Sequence, residues 1–170
     1  MAINNIVDES FIINQKKLKQ FGDRCSNVKI GIMGGTFDPI HYAHLATAEF
    51  IRDNYKLDKI LFIPSGNPPH KKGNITDKYD RYNMVLLSTV NNDDFIVSDI
   101  EIKREKSTYT IDTLKVLKQI YKNAEIYFIT GADAICDIET WKDVEGNFKL
   151  ANFIAATRPG ISLLRANEKI

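Results

Sequence analysis

The 170-residue chain has few of the residues that build special frameworks: 2 cysteines, 1 tryptophan, 5 prolines and 3 histidines. Cys25 and Cys136 stand far apart with no C-x-x-C spacing. That excludes a disulfide framework or a cysteine-built zinc site as the organising device, and it favours a reducing, cytoplasmic setting. No apolar run approaches the roughly 20 residues of a membrane span, and the N-terminus lacks the apolar core of a secretory signal. A formal net charge of +1 gives no global pull toward nucleic acid or an anionic membrane surface. No repeat or low-complexity tract is present. What is there, at 44% hydrophobic, suffices for one domain with a real core.

Residues 1–27 differ from the rest: they are polar with scattered apolar positions and end in the turn-like Ser26-Asn27. They read as a flexible N-terminal extension, in which a weak helix could form around 9–21. From Val28 the pattern alternates. Strands are predicted at Val28–Met33, Lys59–Pro64, Phe95–Ser98, Glu125–Thr130 and Asn152–Thr157, and helices at His41–Tyr55, from a Thr76 cap to about Val90, and after a Thr110 cap. Short helices are predicted at 132–139 and 141–150. The loop Ser65–Ile75 holds two prolines and two glycines. Such alternation predicts an α/β, doubly wound parallel sheet with helices on both faces. Its ligands bind beyond the carboxyl ends of the strands.

The stretch GIMGGTFDPIHYAHL (31–45) carries the most chemistry. Gly34-Gly35 permits a tight turn and close approach of backbone to a ligand, yet the spacing is neither the dinucleotide fingerprint nor a P-loop. His41 and His44 follow at a helix start, three apart and so on one face. Free N–H groups and the helix dipole favour an anion there, which points to a phosphate chain. Zinc is the rival ligand. Helical zinc pairs use i,i+4 spacing with an intervening Glu, whereas this pair is i,i+3 with none.

GGTFDPIHxxHL resembles the signature of the HxGH-type nucleotidyltransferases, and within them the bacterial nicotinate-nucleotide adenylyltransferases. Further blocks extend the likeness over about residues 28–160: SGNPPHK (65–71), Arg81-Tyr82-Asn83-Met84, STYTIDTL (107–114), Gly131-Ala132-Asp133 with Trp141, and Arg158-Pro159-Gly160. The family's glycine between the histidines is Ala43 here. Its C-terminal I-S-S-T-x-I-R motif has no counterpart before Ile170, so residues 28–170 are expected to form a nucleotidyltransferase domain of Rossmann-like fold that is incomplete at its C-terminus.

The resemblance implies that ATP and nicotinate mononucleotide give deamido-NAD and pyrophosphate in NAD biosynthesis, with Mg²⁺ accompanying ATP and no metal held by the protein. By the same resemblance His41 and His44 are catalytic and, with Gly34, Gly35, Thr36, Phe37, Gly131 and Asp133, bind ATP. His70, Lys71, Tyr109, Thr110, Trp141 and Arg158 are the candidates for the mononucleotide. On residue chemistry alone Trp141 could equally pack in the core, the 70–71 pair could be solvated loop, and Arg158 could merely end a strand. Small-molecule partners are expected, with neither nucleic acid nor membrane; a homo-oligomer stays open. The competing readings are a related adenylyl- or cytidylyltransferase with another phosphorylated acceptor, and a nucleotide-binding module with little turnover.

Overall fold

Strands and helices alternate through the chain, and every strand pair in the sheet is parallel. The computed structural model describes residues 2–23, 27–68 and 73–157. In chain order the elements are α1 (Ala2–Gly22), β1 (Lys29–Gly35), α2 (Tyr42–Tyr55), β2 (Lys59–Pro64), α3 (Lys78–Thr89), β3 (Phe95–Val97), α4 (Thr110–Ile120), β4 (Glu125–Gly131), α5 (Ala132–Cys136), a 3₁₀ turn (Ile138–Thr140), α6 (Val144–Leu150) and β5 (Asn152–Ala156). The sheet has five strands in the order β3-β2-β1-β4-β5.

Period-two alternation sorts the strand side chains onto two cores. Ile60 and Phe62 of β2 join Ala48 and Ile51 of α2 and Val85 and Leu86 of α3 on one face. Leu61 and Ile63 join Ile30 and Ile32 of β1 and Leu114 and Leu117 of α4 on the other. Each such fully buried Ile or Leu contributes about 1.5–3 kcal/mol, and helices therefore cover both faces. The chain runs from β1 to β2 and β3 on one side, and from β4 to β5 on the other. The order of connection thus reverses between β1 and β4, the place where open α/β sheets leave a ligand crevice.

Three details depart from the sequence expectation. Residues 2–22 form a helix packed against α3 and β3, not a flexible leader. Its inward face is Ser10, Asn14, Lys17 and Phe21, a stripe mostly polar, and this is why the apolar periodicity was faint. The Asn14 side chain donates to the Val97 carbonyl and accepts from the Val97 N–H, both at 2.9 Å, so it pairs with β3 as a neighbouring strand would. Lys17 Nζ donates to the Val90 and Asn92 carbonyls at 2.8 Å, just past the end of α3. Second, Asp77 rather than Thr76 caps α3, its carboxylate accepting from the Tyr79 N–H at 2.8 Å, and Tyr109 rather than Thr110 is the N-cap of α4.

Third, Gly34 and Gly35 are not a turn. They are the last two residues of β1, in register with Ile63 and Pro64 of β2. The turn comes after them, where Phe37 takes a left-handed φ of 49°. Among the described residues no helix is long and apolar enough to cross a membrane.

Candidate active site

Two cavities meet over the carboxyl ends of β1 and β4. One is ≈ 330 Å³ and the other ≈ 290 Å³, and Gly34 and Thr130 line both. The double glycine matters here because of what it lacks: without side chains the end of β1 stays bare, and the two cavities share an edge.

The larger cavity is the histidine side, lined by His41, His44, Thr47 and Gly131 beside the shared pair. Local sequence explains its geometry. The Phe37 ring is 3% exposed, tilted against Phe62 and edge-on to His44 at 5.2 Å. That anchor over-determines the strained left-handed backbone of Phe37 and delivers the chain to His41, the N-cap of α2. The two imidazoles stack with centroids 3.8 Å apart, and His44 Nδ1 accepts from the His41 N–H at 3.2 Å. A neutral His44 held that way carries its proton on Nε2, which makes Nε2 a donor. The first turn of α2 holds no acidic residue, so nothing on the helix neutralises its positive end. The arrangement suits an anion, as the i,i+3 spacing suggested.

The smaller cavity lies across the shared edge and is lined by Tyr109, Thr110, Trp141, Lys142, Glu101 and Asn147 among others. Trp141 makes edge contacts with Phe128 and Phe153, each at 6.1 Å, while remaining half-buried at the cavity. Its two readings are therefore not exclusive: one part of the indole packs on the core and another part lines the cavity. Lys142 Nζ sits 4.7 Å over the Tyr109 ring and 3.2 Å from Asp112. Tyr109 and Thr110 open α4, so this cavity too has a helix N-terminus on its wall.

Several of these residues were missed from sequence. Glu101 falls in the 99–109 stretch, where periodicity gave no assignment. Burial pushes its carboxyl above the ordinary value, partly countered by Thr113, which donates to Glu101 Oε1 at 2.7 Å, and by Arg104. Asn147 is fully buried, and its amide donates to the Lys142 and Asp143 carbonyls at 3.1 Å, bracing the turn that carries Trp141. A signal for it existed: Val144, Asn147 and Ala151 fall at spacings of three and four, a stripe with one polar member.

Of the residues expected at the ATP position, Gly34, His41, His44 and Gly131 line one cavity, and Gly35 lines the other. Thr36 and Phe37 are not among the residues lining either cavity, and the Phe37 side chain belongs to the core. Asp133 is exposed in the first turn of α5 and is not among the residues lining either cavity. Tyr109, Thr110 and Trp141 are brought together. His70, Lys71 and Arg158 lie outside the described residues.

The cytidylyltransferase-like family model matches residues 32–169. The probable nicotinate-nucleotide adenylyltransferase of Thermoanaerobacter sp. (strain X514) is 56% identical over 145 residues, 84% of this chain and 69% of that protein. Its namesake in Moorella thermoacetica is 54% identical over 142 residues, 82% of this chain and 65% of that protein. The chain thus spans about two thirds of the length of these relatives. Among solved structures, Plasmodium falciparum nicotinic acid mononucleotide adenylyltransferase complexed with NaAD superposes with a TM-score of 0.64 at 25% identity, covering 84% of this chain and 82% of that one. Fold and relatives agree: the chain belongs to the cytidylyltransferase-like family and, within it, to the nicotinate-nucleotide adenylyltransferases.

Proposed function

We propose that the chain transfers the adenylyl group of ATP to nicotinate mononucleotide, giving deamido-NAD and pyrophosphate as a step of NAD synthesis. The observation that carries this reading is the pair of cavities joined over Gly34 and Thr130. A transfer between two nucleotides needs two binding positions whose reacting phosphates meet, and the bare end of β1 provides the meeting place.

ATP takes the histidine side. His41, His44 through Nε2 and the first-turn N–H groups of α2 face its phosphates; Gly131 lies toward the adenosine, and Asp133 is assigned to it on the family resemblance alone. The mononucleotide takes the other cavity, with its pyridine on Trp141 and its carboxylate toward Tyr109 and Thr110. A bond forms from a phosphate oxygen of the mononucleotide to the α-phosphorus of ATP, and the bond from that phosphorus to the β-phosphate oxygen breaks. The nucleophile is already ionised at neutral pH, so no side-chain base is required. Catalysis rests on positioning and on charge stabilisation by His44 and the helix end. His70, Lys71 and Arg158 are assigned to the mononucleotide on the family resemblance alone.

Among the described residues no group of three or more His, Cys, Asp or Glu side chains could hold a metal ion. In this scheme Mg²⁺ enters as part of the Mg–ATP substrate, held by phosphate oxygens and water. The test is product analysis with ATP, Mg²⁺ and either nicotinate or nicotinamide mononucleotide. The expected result is deamido-NAD with stoichiometric pyrophosphate, formed only when the acid mononucleotide is present. Pyrophosphate release that ignores the mononucleotide, or a product from the amide alone, would overturn the assignment.

A further inference from the structure

Among the described residues the largest fully buried side chain is a cation, Arg81, 1% exposed at the first turn of α3. Burial pulls its guanidinium below the ordinary arginine value, and Asp38 and Asp77 work against that shift. A desolvated charge is expensive and persists only where its hydrogen bonds are met. Here all three nitrogens donate to main-chain carbonyls: Nε to Thr76 at 2.9 Å, Nη1 to Thr36 at 2.6 Å and Nη2 to Gly66 at 3.1 Å.

Those carbonyls belong to two separate loops. Thr36 opens the crossing from β1 to α2, which ends at the histidine pair. Gly66 and Thr76 stand near either end of the loop from β2 to α3, whose Ser65 and Pro68 line the smaller cavity. Asp38 adds a second link between the loops, accepting from the Thr76 N–H at 3.0 Å. The Gly66 turn is itself pressed on the far wall, for a Cβ there would sit 2.2 Å from the Glu101 carbonyl oxygen. The Thr36 carbonyl and the Phe37 N–H share one trans peptide plane. A carbonyl drawn to Arg81 therefore turns the Phe37 N–H to the opposite side, and the cation polarises that peptide into a better donor.

We propose that Arg81 is the positioning residue that holds the β1–α2 and β2–α3 loops in one register, so that a single side chain assembles both substrate walls. Only the planar fork of an arginine can engage three carbonyls at once; a lysine ammonium on a flexible stem satisfies fewer. The kinetic half of the test rests on the adenylyltransferase reading, and the exchange half does not.

The decisive variant is Arg81→Lys in the full chain, compared with Ile126→Ala, which removes core volume near the opposite end of β4. In Arg81→Lys the KM values for ATP and for the mononucleotide both rise, and kcat/KM falls about 10²-fold, the scale of a misplaced reacting group. Amide hydrogen exchange at 36–38 and at 65–67 accelerates together, by about 10-fold or more. Ile126→Ala lowers thermal stability while leaving both KM values and loop exchange unchanged. Unaltered kinetics and exchange in a folded Arg81→Lys protein would sink the proposal, as would a rise in only one KM. Should Arg81→Lys fail to fold, native-state exchange of the unmodified chain decides: one shared opening for both loops supports the clamp, and two independent openings overturn it. A chain that makes no dinucleotide at all counts against the functional reading, and exchange alone then judges the clamp.

Discussion

The two walls of the crevice are built in opposite ways. The histidine wall takes its chemistry from one stretch, with Gly34, His41 and His44 inside eleven residues and α2 fixing the spacing of the pair, while Gly131 and Ala156 close it from β4 and β5. The Trp141 wall draws Ser65, Glu101, Tyr109, Trp141 and Asn147 from segments up to 82 residues apart. The first is local geometry, which a helix start dictates almost by itself. The second exists only because β1, β2 and β4 lie side by side and end at one edge. One wall should therefore set the rate of transfer, and the other which acceptor is held.

Several measurements would break or sharpen that division. The largest effect is expected from His44→Ala, which removes the donor we assign to the phosphoryl group and should lower kcat roughly 10²–10³-fold. Steady-state kinetics should show the KM for the mononucleotide nearly unmoved; a kcat close to that of the unmodified chain would end the role given to His44. Trp141→Ala should act on the other wall. Aromatic stacking on a base is worth about 1–3 kcal/mol, roughly a 5-fold to 150-fold rise in the KM for the mononucleotide, with that for ATP unchanged. Trp141→Phe should recover part of the loss, because packing on Phe128 and Phe153 survives in it.

A third substitution lies outside both walls. Asn14→Ala strands the Val97 N–H and carbonyl at the sheet edge, where each unmet buried group costs about 1–3 kcal/mol. Denaturant midpoints should fall while kcat and both KM values hold; a kinetic effect would mean that α1 reaches the site. The smallest change is expected from Glu101→Gln. Burial raises the Glu101 pKa in the folded state, so its contribution to stability is fully present below the ordinary glutamate value and is lost as pH rises through the raised one. The glutamine keeps an acceptor for Thr113 and has no proton to lose. Thermal melts across the weakly acidic range should therefore flatten in Glu101→Gln, and an unchanged slope would show that Glu101 carries no such linkage.

Much of this architecture is legible in the sequence, for identifiable reasons. All five strands were placed within two residues, because buried parallel strands read as short β-branched runs bounded by glycine, proline or polar turns. The histidine pair was legible because i,i+3 spacing needs no tertiary information. The helix α1 was not: its inward face uses polar Asn14 and Lys17, whose inward placement makes sense only once Val97, Val90 and Asn92 offer them partners. Gly34-Gly35 was legible as important but misread as a turn, since a glycine placed for turning and a glycine placed for room look the same in one dimension.

The sequence by itself determined the alternation of strand and helix, the two-sided core and the pairing of His41 with His44 at the start of α2, since each follows from spacing along a few consecutive residues. Only the tertiary structure decided that Glu101 and Asn147 belong to the site, that Trp141 both packs and faces a cavity, and that Arg81 ties two loops together. Those facts depend on which distant segments the parallel order of β2, β1 and β4 brings to one edge. They depend as well on which buried polar groups find partners there, and spacing along the chain encodes neither.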